Sequence, residues 1–277
     1  MAAAKRSRLD ELMVARGLAA NRSVARGLIM AGLVTVGGAV SDKAGTGVPL
    51  DADIAIKQRP RFVSRAGEKL AHALDVFDVN VTGVDALDVG ASTGGFVDCM
   101  LQNGAARVIA LDVGRGQLDL RLRGDPRVVV LEKINARALT KDLLPFEPDF
   151  LTMDVSFISV TKVLPAVVSC MAAEFAGLVL IKPQFEAGRA LVGKGGIIRD
   201  PATHRAVLLE TGRFVVDELQ VELYGMCPSG LRGADGNLEF FLYVGRGREN
   251  RAGIDRLESM VEQALAEPET SKTGPET

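Results

Sequence analysis

Leu87-Asp88-Val89-Gly90-Ala91-Ser92-Thr93-Gly94-Gly95-Phe96 reads as an apolar strand, a turn holding three glycines and the start of a helix. Such a strand-to-helix turn places a ligand outside the carboxyl end of the strand, where glycine lets the backbone approach closely. Outward from it, apolar strand candidates lie at 84–89, 106–111, 127–131, 150–153 and 177–181, with helical stretches between them. Strands apolar on both faces that alternate with helices predict a parallel sheet covered on both sides. From about residue 83 the expected fold is therefore α/β, doubly wound and Rossmann-like. Residues 239–244, EFFLYV, add a late strand, 255–265 a final helix, and 267–277 a polar tail expected to be disordered.

The second strand candidate ends in Asp112, whose carboxylate can accept both hydroxyls of a ribose. Loop and acid together point to a nucleoside cofactor, and NAD and S-adenosylmethionine (SAM) share that geometry. A dinucleotide site usually shows GxGxxG, in which the second glycine admits a pyrophosphate. Here the spacing is GxxxGG, with Asp88 ahead of it. SAM has no phosphate but carries an ammonium and a sulfonium, so an acid beside the loop suits it better. The expected cofactor residues are Asp88, Gly90, Ser92, Gly94, Gly95, Phe96 and Asp112. Asn135, after the third strand, serves either the adenine or its own turn.

Four charged residues are candidates, three of them at strand ends: Asp154 after the fourth strand, Lys182 after the fifth and Glu239 before the late one, with Lys69 in Ser64-Arg65-Ala66-Gly67-Glu68-Lys69-Leu70. Methyl transfer to an alcohol needs a base to take the hydroxyl proton. A neutral lysine can do so where burial and a second cation lower its pKa. Lys182 is the candidate base and Lys69 the second cation, with Asp154 and Glu239 orienting the lysines and holding the hydroxyl. Ser156 and Phe157, just beyond Asp154, either flank an extruded target base or, for Phe157, pack in the core. With two histidines and no paired Cys or His ligands, no metal is expected.

The first 70 residues hold 12 Lys/Arg against 6 Asp/Glu and the rest 21 against 29, so a segment of +6 precedes one of −8. Basic charge gathered in one small segment suits a phosphate backbone, although a solvated surface also produces it. Residues 8–16 and 21–31 read as short helices, the second capped by Asn21 and ended by Gly32. Strand candidates follow at 34–36 and 52–56. The chain thus divides into a small N-terminal α+β module at 1–57, a linker at 58–62, a main domain at 63–266 and the tail. Three scattered cysteines suggest no disulfide framework, no stretch is long and apolar enough to span a bilayer, and no secretory signal is read. These features predict a cytoplasmic protein, with a monomer favoured.

SRAGEKL from Ser64, LDVGASTGGF from Leu87, LDVGRGQL from Leu111, DPRVVVLEKINAR from Asp125, DVSFIS from Asp154, KPQFE from Lys182 and GNLEFFL from Gly236 stand in order along most of the chain. In these motifs it resembles the TlyA family, bacterial rRNA 2′-O-methyltransferases that join an S-four-type RNA-binding module to an FtsJ-like domain. The resemblance implies a mostly parallel seven-stranded sheet and a Lys-Asp-Lys-Glu catalytic set at Lys69, Asp154, Lys182 and Glu239. It also implies methylation of cytidine 2′-hydroxyls in 16S and 23S rRNA or in 23S alone, with ribosomal RNA or ribosomal subunits as partner. Free rRNA, a subunit and an assembled ribosome are the alternative forms of the substrate. Arg6, Arg8, Arg22 and Lys43 become candidate phosphate contacts, which position RNA without reading its sequence. Members of the family also carry a hemolysin label, so a membrane-active protein is one rival reading. The absence of a strongly amphipathic cationic helix in the sequence argues against it. A non-catalytic ribosome-binding or assembly factor that keeps SAM as a structural ligand is the other.

Overall fold

The computed structural model describes residues 5–57, 60–188, 191–193, 195–247 and 256–266. The chain forms two compact units, one ending at Pro60 and one beginning at Arg61. The expected tail at 267–277, and residues 58 and 59 of the expected linker, lie outside the described residues.

The first unit contains β1 (Arg6–Arg8), α1 (Leu9–Ala15), α2 (Arg22–Met30), β2 (Val34–Val36), β3 (Ala39–Val40), β4 (Gly47–Pro49) and β5 (Ile54–Ile56). Asn21 caps α2 by accepting the Val24 N–H at 3.0 Å, and Gly32 follows it at φ +69°. Leu9, Met13, Ala25, Ile29 and Val34 are fully buried between the helices and the strands. β3 and the β1–β4 pair were not legible in the sequence, because two- and three-residue strands are too short for an alternation to register.

The second unit contains α3 (Ala66–Val76), β6 (Asp85–Val89), α4 (Gly95–Gln102), β7 (Arg107–Asp112), α5 (Leu120–Arg123), β8 (Val128–Glu132), β9 (Phe150–Met153), α6 (Leu164–Ser169), β10 (Phe175–Ile181), α7 (Pro183–Glu186), α8 (Pro201–Arg213), β11 (Glu222–Pro228), β12 (Phe240–Arg246) and α9 (Leu257–Ala266). Its seven strands lie in the order β11-β12-β10-β9-β6-β7-β8, with β12 antiparallel to both neighbours and β6 to β10 mutually parallel. Successive side chains of a strand face opposite sides. Phe175, Val179 and Ile181 of β10 therefore join α6, α8 and α9 in one core, while Ala176, Leu178 and Leu180 join α3 and α4 in the other.

The chain winds from β6 to β8 in one direction and then returns to place β9 on the other side of β6. That reversal opens a crevice at the carboxyl ends of β6 and β9. β11 was missed in the sequence. It is an edge strand with a register shift between Leu223 and Gly225, so its apolar alternation breaks midway.

Candidate active site

At the carboxyl end of β6 the backbone turns at Gly90 (φ +86°), Ser92 (φ +48°) and Gly94 (φ +94°) before α4 begins. A Cβ on Gly90 would lie 2.3 Å from the Asp154 carbonyl oxygen, and one on Gly94 would lie 2.4 Å from Leu122. Glycine is thus required at Gly90 both by the left-handed backbone and by the Asp154 main chain, and at Gly94 by the left-handed backbone. The loop walls a cavity of about 160 Å³ lined by Ser64, Asp88, Gly90, Ser92, Phe96 and Asp154, with Gly95 also in its wall.

Asp88 is almost fully buried. Its Oδ1 accepts the Thr152 hydroxyl at 2.7 Å, while its Oδ2 is buried without a partner. Burial, helped by the charges of Asp154 and Asp112 and opposed by the Thr152 bond, pushes its pKa up to about 7. A cationic ligand in the cavity would satisfy that oxygen, and the ammonium of SAM is such a cation. Asp112 accepts the Ser92 N–H at 2.8 Å on Oδ2 and the Gly114 N–H at 2.6 Å on Oδ1, which fixes its carboxylate at the mouth of a narrow pocket beside Ala91, Gln117 and Leu118. Each oxygen keeps a lone pair for a ribose hydroxyl. The residues present therefore fit SAM.

The register aligns the charged groups. Met153 pairs with both Val89 and Val179, and Ile181 pairs with Phe240. One residue further on, Gly90, Asp154, Lys182 and Glu239 stand at the same edge of the sheet. Lys182 Nζ lies 2.5 Å from Asp154 Oδ1 and donates to Ser156 Oγ at 2.9 Å. Lys69, from the first turns of α3, donates to Glu239 Oε2 at 2.5 Å, and both are buried. Each lysine is thus held by one carboxylate.

The FtsJ-like methyltransferase family profile matches residues 62–246, and the S4 domain profile matches residues 7–54. The chain is an FtsJ-like methyltransferase. It is 42% identical to the 16S/23S rRNA (cytidine-2′-O)-methyltransferase TlyA of Mycobacterium tuberculosis, over 95% of this chain and 99% of that protein. It is 35% identical to the 23S rRNA (cytidine-2′-O)-methyltransferase TlyA of Campylobacter jejuni, over 66% and 70%. Among solved structures, a hemolysin-labelled protein of Streptococcus thermophilus superposes with a TM-score of 0.69 at 38% identity, over 95% of this chain and 96% of that one.

In this methyltransferase Phe157 is not a core residue: it is 90% exposed, with φ +65°. Its ring meets Phe185 with centroids 5.2 Å apart, at the edge of an open cleft of about 760 Å³ that Arg137, Lys162, Gln184, Glu186 and Glu210 also line. Asn135 takes the turn role: its Oδ1 accepts the Arg137 N–H at 3.1 Å, starting a short 3₁₀ turn. Thr152 and Glu186 were not singled out as site residues by the sequence. The signal for Thr152 was a lone hydroxyl inside the apolar run Phe150-Leu151-Thr152-Met153.

In the S4 domain, Asp10 is fully buried beneath two of the candidate arginines. Arg8 grips it with two bonds of 3.0 and 2.9 Å, and Arg22 reaches it at 3.3 Å and Glu11 at 3.2 Å. The Arg8 hydrogen bonds are the main cause that holds the Asp10 pKa down to about 2. Arg6 bonds the Gly47 carbonyl at 3.2 Å through Nε. Lys43 is exposed, as is Arg26, one turn beyond Arg22, and neither has an ion pair among the described residues.

Proposed function

We propose that this chain is a SAM-dependent rRNA methyltransferase that modifies the ribose 2′-hydroxyl of cytidine in 16S rRNA, 23S rRNA or both. The observation that carries the reading is the row of Asp154, Lys182 and Glu239 at one edge of the sheet, with Lys69 paired to Glu239 beside the glycine loop. The names and close similarity of the TlyA relatives support the cytidine 2′-hydroxyl as acceptor.

Bound SAM supplies an electrophilic methyl group on a sulfonium. Asp88 would take its ammonium and Asp112 its ribose hydroxyls, while Gly90, Ser92, Gly95 and Phe96 line the cavity and Gly94 sets the turn behind it. Lys182 would take the proton of the 2′-hydroxyl as the ribose oxygen is methylated by the group that SAM would supply. The proton then passes to solvent. Asp154 and Ser156 aim Lys182, and Glu239 holds Lys69 as the second cation. Phe157 offers a bare aromatic face on which an extruded base stacks. Arg6, Arg8, Arg22 and Lys43 of the S4 domain hold RNA phosphates, and the ribosomal substrate places the reaction in the cytoplasm.

The test is transfer of tritiated methyl groups from SAM to purified 30S and 50S ribosomal subunits by the wild type and by Lys182→Ala. Label in rRNA that the variant fails to transfer is expected. No label on either subunit or on assembled ribosomes, with SAM binding intact, would overturn the enzyme reading in favour of an assembly factor.

A further inference from the structure

Residues 154–160 and 182–186 come from separate strand ends yet are joined three times. At one end Lys182 meets Asp154 and Ser156. In the middle the Phe157 and Phe185 rings touch. At the far end the two oxygens of Glu186 divide their work: Oε2 accepts the Ser159 hydroxyl at 2.5 Å and Oε1 the Val160 N–H at 3.0 Å. Among the described residues, 155–158 make no backbone–backbone hydrogen bond. A bulky residue in the left-handed region persists only where its surroundings impose that conformation. The backbone of the loop cannot impose it on Phe157, so side chains must.

We infer that Glu186 is a positioning residue for methyl transfer: it locks the loop that displays Phe157 to the segment that carries Lys182. The inference rests on the methyltransferase reading for its consequence, but the lock itself does not depend on that reading. Ser159 also bonds Thr161 Oγ1 at 2.7 Å, which closes the 3₁₀ turn of 160–162 onto the clamp. The Glu186 carboxyl is partly buried, which pushes its pKa upward. Glu210 adds to that rise, while the bonds from Ser159 and Val160 and the charge of Lys162 oppose it. Its place in KPQFE, four residues after the proposed base, ties the geometry of the base to that of the stacking ring.

The chain has no tryptophan, so Phe157→Trp creates a single fluorescent reporter on the loop. Time-resolved anisotropy of that reporter is compared in the parent, with Glu186→Ala and with Glu186→Gln. A glutamine amide can still accept from Val160 and donate to Ser159. Fast local depolarisation on Glu186→Ala, restored by Glu186→Gln, is expected. Unchanged anisotropy on Glu186→Ala overturns the lock.

In the wild-type background, single-turnover methyl transfer to ribosomal subunits should fall about tenfold to a hundredfold for Glu186→Ala. SAM affinity should stay within about twofold and Glu186→Gln should recover most of the rate. A normal rate for Glu186→Ala, with the loop shown to be loosened, overturns its role in the reaction. A wild type that methylates no ribosomal RNA overturns the proposed function, while the anisotropy result still decides the lock.

Discussion

The two halves of the site are built by different means. The half proposed for the cofactor is made of backbone: Gly90 and Gly94 set the turn, Asp112 is fastened by two main-chain N–H groups, and Asp88 is buried beside the loop. The half proposed for the acceptor is made of side chains: an ion pair, a ring contact and the Glu186 clamp suspend an exposed loop with little backbone support. A cofactor of fixed shape can be met by a rigid cradle, whereas a nucleotide in a folded RNA must be received by groups that reach out. Damage should therefore divide cleanly between cofactor affinity on one side and turnover on RNA on the other.

The largest effect expected is that of Lys182→Ala, which should lower single-turnover methyl transfer by about a thousandfold or more, the scale of a lost general base, with SAM affinity nearly unchanged. A parallel loss of SAM affinity, measured by calorimetry, would erase the division between the halves. Asp88→Asn should weaken SAM binding by about tenfold or more, because it removes a buried charge-assisted contact. The same carboxyl sets a pH dependence. With a pKa of about 7 in the free protein, it is mostly neutral at pH 6 and mostly ionised at pH 8. Cation binding needs the ionised form, so SAM affinity should rise about tenfold from pH 6 to pH 8 in the wild type and stay flat in Asp88→Asn.

Phe157→Ala should cost about fivefold or more in kcat/KM on ribosomal subunits, the value of one stacked base, and leave SAM affinity alone. The smallest effects belong to the S4 domain. Lys43→Ala should weaken RNA binding a few-fold and reduce the salt slope by about one, with no change in Tm. Arg8→Ala should also lower Tm by a few degrees, since it strips the bidentate partner from buried Asp10. Equal Tm values for these two variants would show that Asp10 does not depend on Arg8.

The same contrast governs what could be read from the sequence. The cofactor half was legible because its chemistry is local: LDVGASTGGF carries strand, turn and acid within ten residues, and the central strands are long apolar runs. Three of the four candidate catalytic charges, Asp154, Lys182 and Glu239, were legible because they stand at ends of strands, whereas Lys69 lies in α3. Which lysine meets which carboxylate depends on the register of β10 with β12 and on α3. The acceptor half was least legible. Nothing in Asp154-Val155-Ser156-Phe157 says that the phenylalanine turns outward, because that follows from contacts 28 residues or so further along, at Phe185 and Glu186.

The central claim is most directly tested by mass spectrometry of nucleosides from 16S and 23S rRNA after incubation of ribosomal subunits with the protein and SAM. The account predicts 2′-O-methylcytidine as the new product, formed by the wild type and absent with Lys182→Ala. A methyl group on a base, or no new methylated nucleoside from a protein shown to bind SAM, would contradict it.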